Sequence, residues 1–231
     1  MLVDHLMQRQ IDGIIIITGL RNDPVIAACR ENDIPVVVSD RGIGETELPG
    51  LIIDDQFGMR SVVTHLIQLG HRKMALISGP QHLSTSLSRH TAALEAMHEH
   101  NIDVNSGLIT FCKDFSADSG RQACRILLDQ GNSFTAIITA NDHYAMGVNA
   151  KLYDRNLQCP ADFSVTGYNR IRQTKWFKPS ITTVELPKWE MGVRMGTIML
   201  QRLKDPGAEI ERVVIRPTLI ERRSTASVRK S

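Results

Sequence analysis

Short unbroken apolar runs alternate along this chain with longer stretches in which apolar positions return every three or four residues. The runs at 14–18, 35–39, 51–53, 74–78, 108–111, 135–139, 163–168, 181–184, 213–216 and 219–222 read as strands. Several show no polar alternation, as expected of strands buried on both faces. Between them, helical periodicity predicts helices from the Asn22-Asp23-Pro24 cap signal to about Glu31, and over 55–70 with Gly70 as the C-cap. Further helices are expected around 89–99, 116–130, from Asp142 onward, and over 189–204. Residues 2–10, with Leu2, Leu6 and Met7 on one side, read as the later part of a helix. Strand and helix alternate throughout. The pattern therefore predicts an α/β fold of parallel sheets flanked by helices and joined by right-handed crossovers.

The most informative stretch is 133–168, which reads strand, polar turn, helix, Pro-marked loop, strand. Asn141 and Asp142 stand where the first of these strands ends and the helix begins, with Asp142 expected to cap the helix. Asn169 and Arg170 follow the second strand at the same edge. Two successive parallel strands thus deliver polar residues to one rim, the usual place for a ligand in an open α/β sheet.

Composition narrows the function class. With 27 basic and 25 acidic residues the net charge is +2, which gives no basic face for nucleic acid. The one basic cluster, Arg222, Arg223, Arg229 and Lys230, reads as a solvated tail, taken as flexible over 225–231. Four scattered cysteines without a C-x-x-C pair fit a reducing compartment. There is no signal-peptide pattern at the start and no membrane-spanning apolar run, so the chain reads as cytoplasmic. GIGETE (42–47) lacks the third glycine of a dinucleotide loop. His98 and His100, two apart, would point from different helix faces and make no metal pair. No nucleophile elbow, P-loop or zinc-protease motif occurs, so neither catalysis nor a cofactor or metal is expected.

The segments GHRKMALISGP, AIITANDHYAMG, CPADFSVTGYN, PSITTVELP and RPTLIERRST resemble matching segments of the LacI/GalR family of bacterial transcription regulators. The resemblance runs over essentially the whole chain. It implies a two-lobed, periplasmic-binding-protein-like fold, with an N-lobe at 1–70 and 185–210, a C-lobe at 71–184 and 211–224, and the ligand in the cleft between them. It also implies roles for residues. Arg89 matches the arginine that reaches the effector, and a guanidinium offers a planar donor fork for vicinal hydroxyls or a carboxylate. Phe115 matches an aromatic set against the ligand. Asn141 and Asp142 match an Asn-Asp pair, Asn141 as the direct contact and Asp142 as the cap. Thr85 and Leu83 stand where small polar residues touch the ligand. Trp176 and Phe177 are expected to form the cleft wall, with Trp176 also a candidate contact.

Asn169 departs from the family pattern, which places an aspartate there, and Arg170 adds a cation beside it. The ligand is accordingly expected to be less rich in hydroxyls, or to carry a phosphate or carboxylate. Family members begin with a helix-turn-helix, a hinge helix and a strand–helix–strand. None of these precedes Met1, so the resemblance implies an incomplete and poorly stable N-lobe. It implies contact with operator DNA only through a module this chain lacks. The expected function is that of an effector-sensing, dimerising domain, with a sugar, sugar derivative or nucleoside-like molecule as ligand. The alternative reading is a periplasmic solute-binding protein of a sugar transporter.

Overall fold

The computed structural model describes residues 11–20, 23–40, 48–207 and 212–228. The expected helix at 2–10, the polar segment 41–47 and the last three residues lie outside these. The chain divides into two compact units, each with its own sheet. One comprises 1–54, 83–85 and 187–215; the other comprises 55–82, 86–186 and 216–231.

In the first unit the strands β1 (Ile14–Thr18), β2 (Val36–Asp40), β3 (Gly50–Ile53) and β9 (Val213–Ile215) lie side by side in that order, all parallel. Helix α1 (Pro24–Glu31) starts as its sequence signal requires: Val25 N donates to the Asp23 carboxylate at 2.9 Å, with Pro24 in the first turn. Its Ile26 and Cys29 pack with Val36 and Val38 against Ile14 and Ile16. Helix α6 (Lys188–Lys204) lies against β1, β2 and β3 through Met191, Met195, Ile198 and Met199.

The second unit has six strands in the order β10-β8-β7-β6-β4-β5. They are β4 (Met74–Ser78), β5 (Ile109–Phe111), β6 (Ala136–Thr139), β7 (Ser164–Tyr168), β8 (Thr182–Glu185) and β10 (Thr218–Ile220). All pairings are parallel except that of β10 with β8. The helices are α2 (Asp55–Gln68), α3 (Ser84–Glu99, its first two residues belonging to the first unit), α4 (Ala117–Asp129) and α5 (Asp142–Asp154). Every residue of β4, β6 and β7 is buried, which explains the unbroken apolar runs. The core joins Ile77, Ile137 and Val165 to Cys124 and Leu127 of α4 and to Tyr144 and Val148 of α5. The four cysteines are unpaired, and burial pushes the Cys124 thiol up to about 12.

Four expectations need correction. The lobe boundary falls at Asp54 and not at residue 70, because α2 packs on β6, β8 and β10 of the second sheet. Residues 213–215 belong to the first unit, since β9 extends its sheet beside β3. Helix α3 begins at Ser84, a turn and a half before the expected start near Arg89. Residues 225–228 are not a loose tail. Val228 N donates to Leu69 O at 2.9 Å, and Thr225 Oγ1 lies 3.0 Å from His65 Nε2 and 2.9 Å from Thr182 Oγ1.

His71 completes that anchorage. Its Nδ1 lies 2.8 Å from Thr135 Oγ1, and its Nε2 lies 3.0 Å from Ser164 Oγ and 3.1 Å from the Ala226 carbonyl. A carbonyl can only accept, so Nε2 carries the proton and Nδ1 accepts from Thr135. Desolvation lowers the pKa of His71 below its ordinary value, and burial does the same at His65 and His90. A lowered histidine pKa means the unfolded chain protonates first. The stability that the neutral form contributes is present above about pH 6.5 and is lost as pH falls. Thermal melts should therefore drop between pH 7.5 and 5.5. His71→Gln should lower stability by about 1–3 kcal/mol at pH 7.5 and flatten that pH dependence. A melting temperature independent of pH in this window would refute the assignment.

Candidate functional site

The parallel strands β4, β6, β7 and β8 end on one edge of the second unit's sheet, and the loops leaving them bring the polar residues together. Arg89, in the second turn of α3, is only 3% exposed. Its Nε donates to Asp55 Oδ1 at 3.1 Å, Nη1 donates to the Ala140 carbonyl at 2.9 Å, and Nη2 donates to Asn169 Oδ1 at 3.2 Å. The guanidinium carbon lies 3.9 Å from the centre of the Tyr168 ring. A buried guanidinium is costly unless its donors are matched, and here a carboxylate, a carbonyl, an amide and an aromatic face share it.

Two buried oxygens at this edge have no hydrogen-bond partner among the described residues: Asp55 Oδ2 and Ser86 Oγ. Ser86 lies three residues before Arg89, on the same face of α3. A Cβ placed on Gly79 would come within 2.5 Å of Ser86 Oγ and 2.8 Å of Phe115 Cε1, so the serine, the phenyl ring and the end of β4 lie together. Buried polar atoms left unmatched within a set of convergent donors and acceptors mark a place for a polar ligand.

Phe115 is half-buried and stacks on Tyr144 at 6.0 Å between ring centres. The turn that carries it is fixed by Asp114, which accepts from Ser116 Oγ at 2.5 Å and from Ser119 Oγ at 2.6 Å. These bonds hold the Asp114 carboxyl well down, at about 2. Ser116 in turn caps α4, accepting from Ser119 N at 3.1 Å. A hollow of about 550 Å³ lies beside this turn, lined by Phe111, Lys113, Gln122 and Ile126 among others. It includes neither Arg89 nor Asn169, and of its two carboxylates, Asp114 and Asp118, the first is already held by Ser116 and Ser119, so the polar cluster at Arg89 is the better candidate.

Asn141 and Asp142 exchange their expected parts. Asn141 is the cap, its Oδ1 accepting from Tyr144 N at 2.8 Å. Asp142 is wholly buried and accepts from Thr183 Oγ1 at 2.5 Å and from Ile171 N at 2.7 Å. It thereby ties down the loop after β7. A Cβ on Gly167 would sit 2.2 Å from Asp142 Oδ1, so glycine is required there by close approach. In that loop Asn169 and Arg170 both have positive φ, 101° and 46°. Asparagine tolerates this region better than most residues, and strain of this kind concentrates at binding sites.

The remaining candidates do not join the cluster. Arg170 donates to the Glu185 carboxylate, so its charge is balanced within the unit. Trp176 is 73% exposed and lies under Lys175 Nζ at 5.2 Å, while Phe177 packs against the core. Thr85 is buried within the first unit beside Gly19, and Leu83 bridges to Leu20 there. The residues that sequence reasoning passed over are Asp55, Ser86, Tyr168 and Thr183. Asp55 follows a strand end and Tyr168 ends a strand, but neither position reveals its partner.

Comparison with known proteins gives one family. A model described as a periplasmic-binding-protein-like domain matches residues 63–225. The transcriptional repressor PurR of Serratia proteamaculans is 33% identical over 223 residues, covering 96% of this chain. Its Escherichia coli counterpart is 31% identical over the same length. The chain spans 65% of the length of each of these relatives. Among solved structures, a LacI family regulator from Enterococcus faecium with bound ribose superposes with a TM-score of 0.88 at 27% identity. That match covers 98% of this chain and 84% of that one. The regulator CelR in complex with cellobiose gives 0.90 at 28% identity, covering 96% of this chain and 68% of that one.

Removing Arg89 strands Asp55 as an uncompensated buried charge. Arg89→Ala should cost about 3–5 kcal/mol in urea unfolding, and adding Asp55→Asn should recover part of it. Gly167→Ala should also destabilise by displacing Asp142. Single and double variants of equal stability would show that the pair is not coupled.

Proposed function

This chain belongs to the periplasmic-binding-protein-like domain family in the form carried by LacI-type transcriptional regulators, and on that premise we propose that it senses a small-molecule effector to control operator binding. The effector contacts assigned are Arg89, Asn169, Ser86 and Asp55 at the sheet edge, with Phe115 stacking on its apolar face and Asn141 fixing the rim. One observation carries this reading. A buried arginine with matched donors stands beside two unmatched buried oxygens at the carboxyl edge of a parallel sheet.

The charge balance chooses the ligand class. The expectation of an anionic effector rested on Arg170 as a spare cation, but Arg170 is paired with Glu185 and Arg89 with Asp55. Phosphate at the cluster would therefore meet the Asp55 carboxylate as well as the Arg89 guanidinium. A neutral polyhydroxylated molecule, a sugar or a nucleoside-like compound, fits better, because hydroxyls both donate to Asp55 Oδ2 and accept from Ser86. The relatives crystallised with ribose and with cellobiose support this class.

Signalling of the bound state follows from differential affinity. An effector that binds one conformation better than another shifts their populations, and no chemical step is needed. The operator contacts would come from a helix-turn-helix outside these residues, acting in a homodimer in the cytoplasm. Among the described residues no helix is long and apolar enough to cross a membrane.

The test is isothermal titration against neutral pentoses, cellobiose, nucleosides and their phosphorylated forms. A neutral compound should bind at least about tenfold more tightly than its phosphate ester. Arg89→Lys keeps the buried charge but loses the fork, and should abolish the heat of binding while the circular dichroism spectrum stays unchanged. Preference for the phosphorylated compound, or an unaltered titration in Arg89→Lys, would overturn the assignment.

A further inference from the structure

The hollow of about 550 Å³ between the edge strand β5 and helix α4 is of a size that small molecules occupy. Its two ends differ in character. Lys113, just before the turn that starts α4, and Asp118, in the first turn, line one end. Both are exposed, and neither takes part in an ion pair among the described residues. Ile126 lies about two turns beyond Asp118 on the same side of the helix, about 12 Å away, with Ala123 between them. That end is apolar. Phe111 adds an aromatic wall, 54% exposed and steadied by the His90 ring at 5.1 Å. Thr110 lines the hollow from the strand, and its Oγ1 is buried with no hydrogen-bond partner among the described residues. An unmatched oxygen of this kind calls for a polar group to complete it.

We propose that this hollow binds an α-amino acid with a large apolar side chain. Such a molecule carries an ammonium and a carboxylate on one carbon and an apolar group beyond it, which is the order of charged and apolar groups along the hollow. Its ammonium meets Asp118. Its carboxylate meets Lys113, and the positive end of the α4 dipole adds to that attraction. Asp114 does not compete for the ammonium, because its carboxylate is taken up by Ser116 at 2.5 Å and Ser119 at 2.6 Å. The side chain lies over Ala123 toward Ile126 and against Phe111, which removes apolar surface from water. A sugar lacks both charges, and an inorganic anion satisfies Lys113 alone. The turn from Asp114 to Ser119 that walls the hollow also carries Phe115. A bound amino acid is therefore placed to shift the Phe115 ring. That consequence rests on the effector assignment, whereas the binding itself does not.

Isothermal titration of the full chain with L-phenylalanine, L-leucine and L-alanine tests this. L-phenylalanine methyl ester and N-acetyl-L-phenylalanine serve as probes that each lack one charge. Expected is binding of phenylalanine and leucine with Kd below about 1 mM, at least about tenfold tighter than alanine or either blocked form. Asp118→Asn and Lys113→Gln, both at exposed positions, should each weaken it at least about fivefold with an unchanged circular dichroism spectrum. Absence of heat with phenylalanine and leucine up to about 10 mM overturns the proposal. So does binding indifferent to both substitutions. Binding lost in Arg89→Lys but kept in Asp118→Asn overturns it as well, because the amino acid then occupies the effector cluster. Phenylalanine binding that survives Arg89→Lys supports it whether or not a sugar binds, so the two readings fail separately.

Discussion

A buried cation cannot be left alone, and the second unit is arranged around the answer to Arg89. The guanidinium lies where water cannot solvate it, and its partners come from Asp55, Ala140, Tyr168 and Asn169. These groups belong to the start of one helix and to the ends of two strands. The cation therefore acts as a brace across the sheet edge. It also fixes the donor fork in one orientation, because each nitrogen is already directed at an acceptor. A ligand that enters such a site meets groups whose ordering cost was met in folding.

The surrounding polar groups divide into those that hold the frame and those whose hydrogen-bonding capacity is unmatched. Asp142 is the clearest case of the first kind. Buried against Gly167, it ties Thr183 and the backbone of Ile171 to the start of α5, and so sets the turn that presents Asn169. Asn141 and Ser116 are helix caps, and Asp114 fixes the approach to Phe115. Asp55 Oδ2 and Ser86 Oγ belong to the second kind, their burial unmatched within the described residues. With Arg170 balanced by Glu185 and Arg89 by Asp55, each of these cations is matched by a carboxylate.

The first unit is governed by a different constraint, the cost of leaving apolar surface in water. Its sheet is covered on one face by α1 and partly on the other by α6, and Ile15 and Ile17 of β1 remain 45% and 58% exposed.

By itself the sequence determined the class of fold, the order of its elements and the edge where its polar residues gather. Unbroken apolar runs mark buried strands, helical spacing marks the crossovers, and parallel strands bring their carboxyl ends to one side. It also placed Asn141, Asp142 and Asn169 at that edge, whereas Arg89 was singled out only by the family resemblance. Only the tertiary structure decided their parts. Periodicity tells which face a residue occupies but not what it meets there. Arg89 is 34 residues from Asp55, 51 from Ala140 and 80 from Asn169, separations that no local pattern encodes. The exchange of roles between Asn141 and Asp142 has the same cause, since either side chain can cap a helix. The choice fell to Thr183 and Ile171, which approach Asp142 from a strand and a loop far along the chain. So did the placing of α2, whose sequence says it is amphipathic but not which of two sheets it covers.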